Sequence, residues 1–188
     1  MNYIETEIKG LWILEPKVHL DGRGYFMETY KKEEFDKYIG KVDFIQDNES
    51  QSNFGVLRGL HFQKGAFAQA KLVRVLHGMV LDVAVDIRKD SDSFGKFVMI
   101  ELSADNKKQF FVPRGFAHGF LVMSETAIFS YKVDNVYKAS SEDALLYSDP
   151  TVGIEWPLRD DELVLSSKDK EANSLENILR VLSDKTQE

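Results

Sequence analysis

Met79-Val80-Leu81-Asp82-Val83-Ala84-Val85-Asp86-Ile87 alternates along its whole length. Successive residues of a strand point to opposite faces, so Met79, Leu81, Val83, Val85 and Ile87 share one side and Val80, Asp82, Ala84 and Asp86 the other. In a lone antiparallel strand the side bearing two aspartates would face water. In a closed barrel one side lines the interior, and a polar lumen behind a packed exterior predicts a ligand cavity. Around this stretch, residues 70–76, 94–102, 109–112, 119–123 and 126–133 read as further short strands separated by turn signals. Residues 8–14 and 25–30 add two more, divided by Asp21-Gly22-Arg23-Gly24. Evenly spaced short strands predict a mainly β sandwich or barrel, not a parallel α/β sheet. Residues 70–76 are apolar on both faces apart from Lys71 and Arg74, so they need a second sheet or a second subunit over them.

Helices are few. Residues 31–39 predict a short one stopped by Gly40. Near the end, Ser174 can cap a helix in which Leu175, Ile178, Leu179 and Leu182 form one apolar stripe, docking on the sheet or on a neighbour. No linker-like run divides the chain. Residues 1–188 therefore read as a single domain, with the core barrel at about 42–134 and a C-terminal helical tail at about 170–188.

The 188 residues are 43% hydrophobic, enough for a real core, and 13 Phe, seven Tyr and two Trp suit strands and concave pockets. The absence of cysteine excludes disulfides, thiolate metal centres and a Cys nucleophile, and fits a reducing compartment. The start has neither a basic nor an apolar leader region and no stretch reaches membrane-spanning length, so a cytoplasmic protein without membrane contact is expected. A net charge of −7 argues against nucleic acid as a partner, although a few converging Arg and Lys can still bind a phosphate.

Four histidines are present: His19, His61, His77 and His118. None belongs to an H-x-H or H-x-x-x-H pair, which disfavours a metal site. His77 falls at a turn and reads as structural; His19 is neutral between surface and site. His61 sits in Leu57-Arg58-Gly59-Leu60-His61-Phe62-Gln63, where an otherwise apolar run carries an Arg and a Gln as well. Polar groups cluster in a core only when each is paired, so a cleft explains them better than a buried wall. A flat strand would place Arg58 and His61 on opposite faces, and the two can share a site only if the chain bends or bulges at Gly59. His118 lies in Gly115-Phe116-Ala117-His118-Gly119-Phe120, between two aromatics, and Tyr131 follows on the next strand.

Taken together these stretches resemble the dTDP-4-dehydrorhamnose 3,5-epimerase family. The blocks that carry the resemblance are Asp21 to Glu28, Gln46-Asp47-Asn48, Leu57 to Gln63, Ala70 to Arg74, Asp82 to Arg88, Gly115 to Phe120, Tyr131-Lys132, Gly153 to Pro157 and Leu165 to Asp169. The resemblance implies a cupin-type jelly-roll barrel without metal or other cofactor, in a homodimer that exchanges an N-terminal strand. It implies a dTDP-sugar substrate, dTDP-4-dehydro-6-deoxy-glucose, inverted at C3 and C5 to dTDP-4-dehydro-beta-L-rhamnose in dTDP-L-rhamnose biosynthesis.

By position, His61 matches the proton acceptor and Tyr131 the proton donor. Asp169 matches the carboxylate behind the histidine, with Asp82 as second choice, and Lys71 the cation near the ketone oxygen. Arg23 and Arg58 would meet the pyrophosphate, and Phe26, Glu28, Gln46, Asp47 and Asn48 would frame the nucleotide. His118, Glu142 and Lys168 complete the substrate shell. Residues 138–145 depart from the family pattern, leaving the course of the loop at Glu142 open and Tyr137 as an alternative acid. Two other activities stay open: inversion at C3 or C5 alone (or ketone isomerisation), and a non-catalytic cupin that only binds a sugar nucleotide.

Overall fold

The computed structural model describes residues 1–184. In chain order its elements are β1 (Asn2–Glu5), β2 (Trp12–Glu15), β3 (Val18–Asp21), β4 (Gly24–Met27), α1 (Lys32–Tyr38), β5 (Gln46–Asn53), β6 (Leu57–Gln63), β7 (Lys71–His77), β8 (Met79–Asp86), β9 (Phe97–Ser103), β10 (Gln109–Val112), β11 (Phe116–Val122), β12 (Thr126–Val133), β13 (Glu142–Ala144), α2 (Ser167–Lys170) and α3 (Leu175–Asp184). Six strands form one sheet in the order β1-β2-β10-β7-β12-β5, and five form the other in the order β13-β6-β11-β8-β9. Every pairing is antiparallel. This is the cupin-type jelly roll, with β3 and β4 standing apart as a hairpin.

The alternation of β8 resolves as a wall between two cores. Val80 and Ala84 point into the barrel and pack with Val73, Val75, Phe110, Phe120 and Phe129 from both sheets. Val83 and Val85 point outward and are covered by Leu175 and Ile178 of α3 together with Leu60, Phe62 and Leu145. The large sheet is likewise covered outside, where Leu72, Phe111 and Leu14 meet Phe35 of α1. Each fully buried side chain of this size contributes roughly 1.5–3 kcal/mol of transfer free energy, so both helices have a hydrophobic reason to dock. The second inner aspartate, Asp86, is anchored by Arg88 at 2.6 Å and by the hydroxyls of Ser91 and Ser93, each at 2.6 Å. Burial pushes its carboxyl up, but these donors outweigh burial and hold it down at about 2.

Several local expectations shift. Residues 8–14 are not one strand: a turn closes from Thr6 N–H to Leu11 O, with Gly10 at φ +96, and β2 starts only at Trp12. β11 begins at Phe116 rather than at residue 119, which brings His118 into the strand. The sheets also reach beyond residues 42–134, recruiting β2 on one side and β13 on the other. The C-terminal helix forms as its stripe predicts, with the Ser174 hydroxyl accepting from Asn177 N–H. Residues 185–188 of the predicted tail lie outside the described residues.

Candidate active site

The site begins with an irregularity in β6. His118 stands opposite His61 and Phe120 opposite Arg58, so two residues of β11 span three of β6. The extra residue makes a bulge at Gly59, whose φ of +131 disfavours any side chain. A Cβ there would also lie 2.6 Å from Gly119 Cα. The bulge turns Arg58 and His61 toward one side. Both line a cavity of about 180 Å³ with Ser50, Lys71, His118 and Tyr131. Its floor is the stacked pair Phe120 and Phe129, with ring centroids 4.1 Å apart. An adjoining cavity of about 300 Å³ shares His61, Lys71 and Tyr131 and adds Gln46, Asn48, Tyr137 and Glu142.

His61 Nε2 donates to Asp169 Oδ1 at 2.6 Å. An ionised carboxylate only accepts, so the proton sits on Nε2 and the lone pair of the neutral ring is at Nδ1. Asp169 is buried and held in turn: the Ser166 hydroxyl donates to its Oδ2 at 2.7 Å, and its own backbone N–H reaches Ser166 Oγ at 3.2 Å. Desolvation lowers the His61 pKa, and the Asp169 carboxylate opposes the shift. The ring is thus neutral near pH 7 and oriented, which is the state a general base needs.

Tyr131 faces the same cavity from the opposite sheet, on β12. Burial raises its pKa, with Arg58 working against the shift, so the phenol keeps its proton. Lys71 on β7 is brought down to about 8, chiefly by desolvation and against the pull of Asp82 and Glu142. It keeps partial exposure along the strand, yet its ammonium lies deep enough for desolvation to dominate. Beside His61, β13 pairs with β6 so that Glu142 meets Gln63 and Ala144 meets His61. Glu142 accepts from Tyr137 Oη at 2.6 Å and pairs with Lys168 at 2.5 Å. Burial raises its carboxyl, and those two partners more than reverse the effect.

His61, Tyr131, Lys71, Arg58, His118, Gln46, Asn48 and Glu142 thus converge on one cleft, with Asp169 and Lys168 directly behind it. Other predicted site residues stand elsewhere in this chain. Asp47 points to the outside of the large sheet, where it pairs with Lys132 at 2.8 Å. Arg23, Phe26 and Glu28 belong to the β3–β4 hairpin and its exit; all three are exposed, and Arg23 pairs with Asp21 at 2.6 Å. Asp82, the second choice as partner of His61, is bonded instead to His118, at 2.8 Å. The register explains it: Asp82 lies on β8, the neighbour of β11, and β6 is one strand further away.

Two supporting residues carried no role in the sequence. Ser52 accepts from Arg58 Nε at 2.9 Å, from a strand too polar to read as one. Ser166 had a usable signal, because Ser three residues before Asp is a helix N-cap pattern. Among the described residues no three His, Asp or Glu side chains are placed to hold a metal ion, and no helix is long and apolar enough to cross a membrane.

Residues 5–177 match the family described as dTDP-4-dehydrorhamnose 3,5-epimerase. The chain is 50% identical to the dTDP-4-dehydrorhamnose 3,5-epimerase of Escherichia coli K12 over 96% of its own length and 98% of that protein's. Its fold superposes with a TM-score of 0.92 on a dTDP-6-deoxy-D-glucose-3,5-epimerase from Legionella pneumophila solved with dTDP-4-keto-L-rhamnose. That protein is 47% identical, with 96% of each chain covered. A 3′-monoepimerase from Streptomyces bikiniensis, solved with dTDP-quinovose, superposes with a TM-score of 0.87 at 32% identity, covering 94% of this chain and 89% of that one.

Proposed function

The chain belongs to the dTDP-4-dehydrorhamnose 3,5-epimerase family, and from that premise we propose that it inverts C3 and C5 of dTDP-4-dehydro-6-deoxy-glucose by a two-sided proton transfer. It is an isomerase, and the product is dTDP-4-dehydro-beta-L-rhamnose, an intermediate on the way to dTDP-L-rhamnose. The observation that carries the mechanism is the opposition of His61 on one sheet, backed by Asp169 of α2, and Tyr131 on the other, across a cleft that holds Lys71.

A proton on the carbon next to a ketone is acidic because its electrons pass to the oxygen. Neutral His61 takes that proton, the C4 oxygen becomes an enolate, and the Lys71 ammonium stabilises the new charge in a site with little water. Tyr131 returns a proton to the same carbon from the other face, so the stereocentre inverts, and solvent resets both groups. A positioned base or acid contributes roughly 10²–10⁴-fold each. Arg58, held by Ser52, suits the pyrophosphate, where a planar fork meets two oxygens at once. Tyr137, exposed at the mouth and bonded to Glu142, is better suited to frame the nucleotide than to act as the acid.

Arg23, Phe26 and Glu28 fit the same reading through a second copy of the chain. Their hairpin leaves Leu20, Tyr25 and Phe26 80%, 56% and 67% exposed, a large apolar surface for water to hold. In a homodimer with exchanged N-terminal segments this hairpin would complete the partner's cleft. The lack of cysteine is consistent with a cytoplasmic location.

Incubation with dTDP-4-dehydro-6-deoxy-glucose in deuterated water, followed by NMR, tests the proposal: deuterium should enter at both C3 and C5. Deuterium at one carbon only would favour a single inversion, the reading that the likeness to the Streptomyces bikiniensis monoepimerase supports.

A further inference from the structure

Asp82 takes no step in the proton path above, yet it is completely buried behind His118, which lines the cleft. Its Oδ1 accepts from His118 Nε2 at 2.8 Å; its Oδ2 is equally buried and meets no hydrogen-bond donor. A charged oxygen without a donor is costly in a dry interior unless a positive charge stands near it. Lys71 lines the same cavity as His118, the residue that Asp82 holds. No carboxylate lies within ion-pair distance of Lys71 among the described residues, and the two that favour its charged form through space are Asp82 and Glu142. Glu142 is already paired with Lys168 and bonded by Tyr137. Among the described residues, Asp82 has only the histidine.

We propose that Asp82 is a positioning residue whose buried carboxylate holds His118 with one oxygen and with the other supplies the counter-charge that keeps Lys71 an ammonium inside the cleft. The proposal rests on the reading of Lys71 as the cation that meets the C4 oxygen. The other ionisable groups facing the same space are His61 and Arg58 on β6, His118 on β11, Tyr131 on β12, and Glu142 and Tyr137 at the mouth. Burial opposes a charge on Lys71, and Asp82, itself fully buried, offsets it. The pair also fixes His118: Nε2 is held by Asp82, so Nδ1 is the ring atom left for a ligand to meet.

The test is Asp82→Asn, which keeps shape and removes charge, read by two measurements on the full chain. The first is the titration of the Lys71 amine by NMR. The wild-type amine should titrate near 8, and in the variant lower by roughly one unit, a tenfold change in the charged fraction above that pH. The second is the pH profile of turnover: Lys71 works protonated, so its alkaline limb should move to lower pH by the same interval, with KM nearly unchanged. Asp82→Glu, which keeps the charge, should leave the limb where wild type has it. An unmoved Lys71 titration in Asp82→Asn overturns the proposal, and so does a lowered limb in Asp82→Glu, which stays decisive if the Asn variant does not fold. A Lys71 titration that moves while turnover does not would leave the counter-charge standing and sink the role given to Lys71.

Discussion

Replacing Asp169 by Asn tests the base assignment more sharply than removing the histidine, because it predicts two changes that only a working base would show together. The carboxylate is buried and contacts His61 Nε2 at 2.6 Å. Unit charges about 4 Å apart interact by roughly 4 kcal/mol at an effective dielectric near 20, which is the gross attraction available to an imidazolium. A hydrogen bond to a charged group nets about 1.5–3 kcal/mol once solvation is counted. Without that carboxylate His61 should become a weaker base. Desolvation already lowers this histidine and the Asp169 carboxylate is what chiefly holds it up, so the two changes add in the same direction. A weaker base removes the carbon proton more slowly, and the plateau of kcat should fall about 10–100-fold. The base works unprotonated, so activity is lost as pH falls through its pKa, and a lowered pKa moves that acid limb to more acidic pH. The assay is NMR of carbon-bound proton exchange between pH 5 and 8, with deuterated water as solvent. An unchanged plateau, or a reduced plateau with an unmoved acid limb, would refute the role of the pair.

Tyr131→Phe should cut formation of inverted product by about 10²–10⁴-fold, while His61 continues to exchange the carbon proton with solvent; equal loss of exchange and inversion would show that the tyrosine is not the returning acid. Ser52→Ala removes the bond that orients Arg58, so KM for the nucleotide sugar should rise about three- to tenfold, the equivalent of about 1 kcal/mol, with kcat little changed in steady-state kinetics. Gly119→Ala places a Cβ 2.5 Å from Arg58 O and 2.9 Å from a Leu60 methyl; overpacking of this kind costs about 1–3 kcal/mol, so both the denaturant midpoint and activity should drop, and an unchanged pair of values would mean that β6 and β11 do not approach as described.

Much of the site was legible for reasons that are local. Alternation in residues 79–87 assigns faces because the side-chain period of a strand is two, and the inner face carries Asp82, which holds His118 of the cleft. The C-terminal stripe predicts α3 because Leu175 and Ile178 have nowhere else to hide. β5 was not legible: Gln46, Asn48 and Ser50 face a polar cavity rather than a core, so the apolar alternation that marks a strand is missing. The residue types and order of the family blocks identified the family and named its chemistry without any coordinates.

The family resemblance preferred Asp169 over Asp82 as partner of His61, but only tertiary structure supplies the physical reason. His61 and Asp169 are 108 residues apart, and nothing in either neighbourhood distinguishes Asp169 from Asp82 as its partner. The choice is made by strand order, which puts β8 beside β11, and by the Ser166 cap that holds Asp169 against His61. The same holds for Arg58 and His61. The chain announces a glycine between them, but only pairing with β11 turns that freedom into a bulge and brings the two side chains into one cleft. A sequence lists the groups and their local periods; distances between groups far apart in the chain come from the register of paired strands, which is set by how the whole barrel packs.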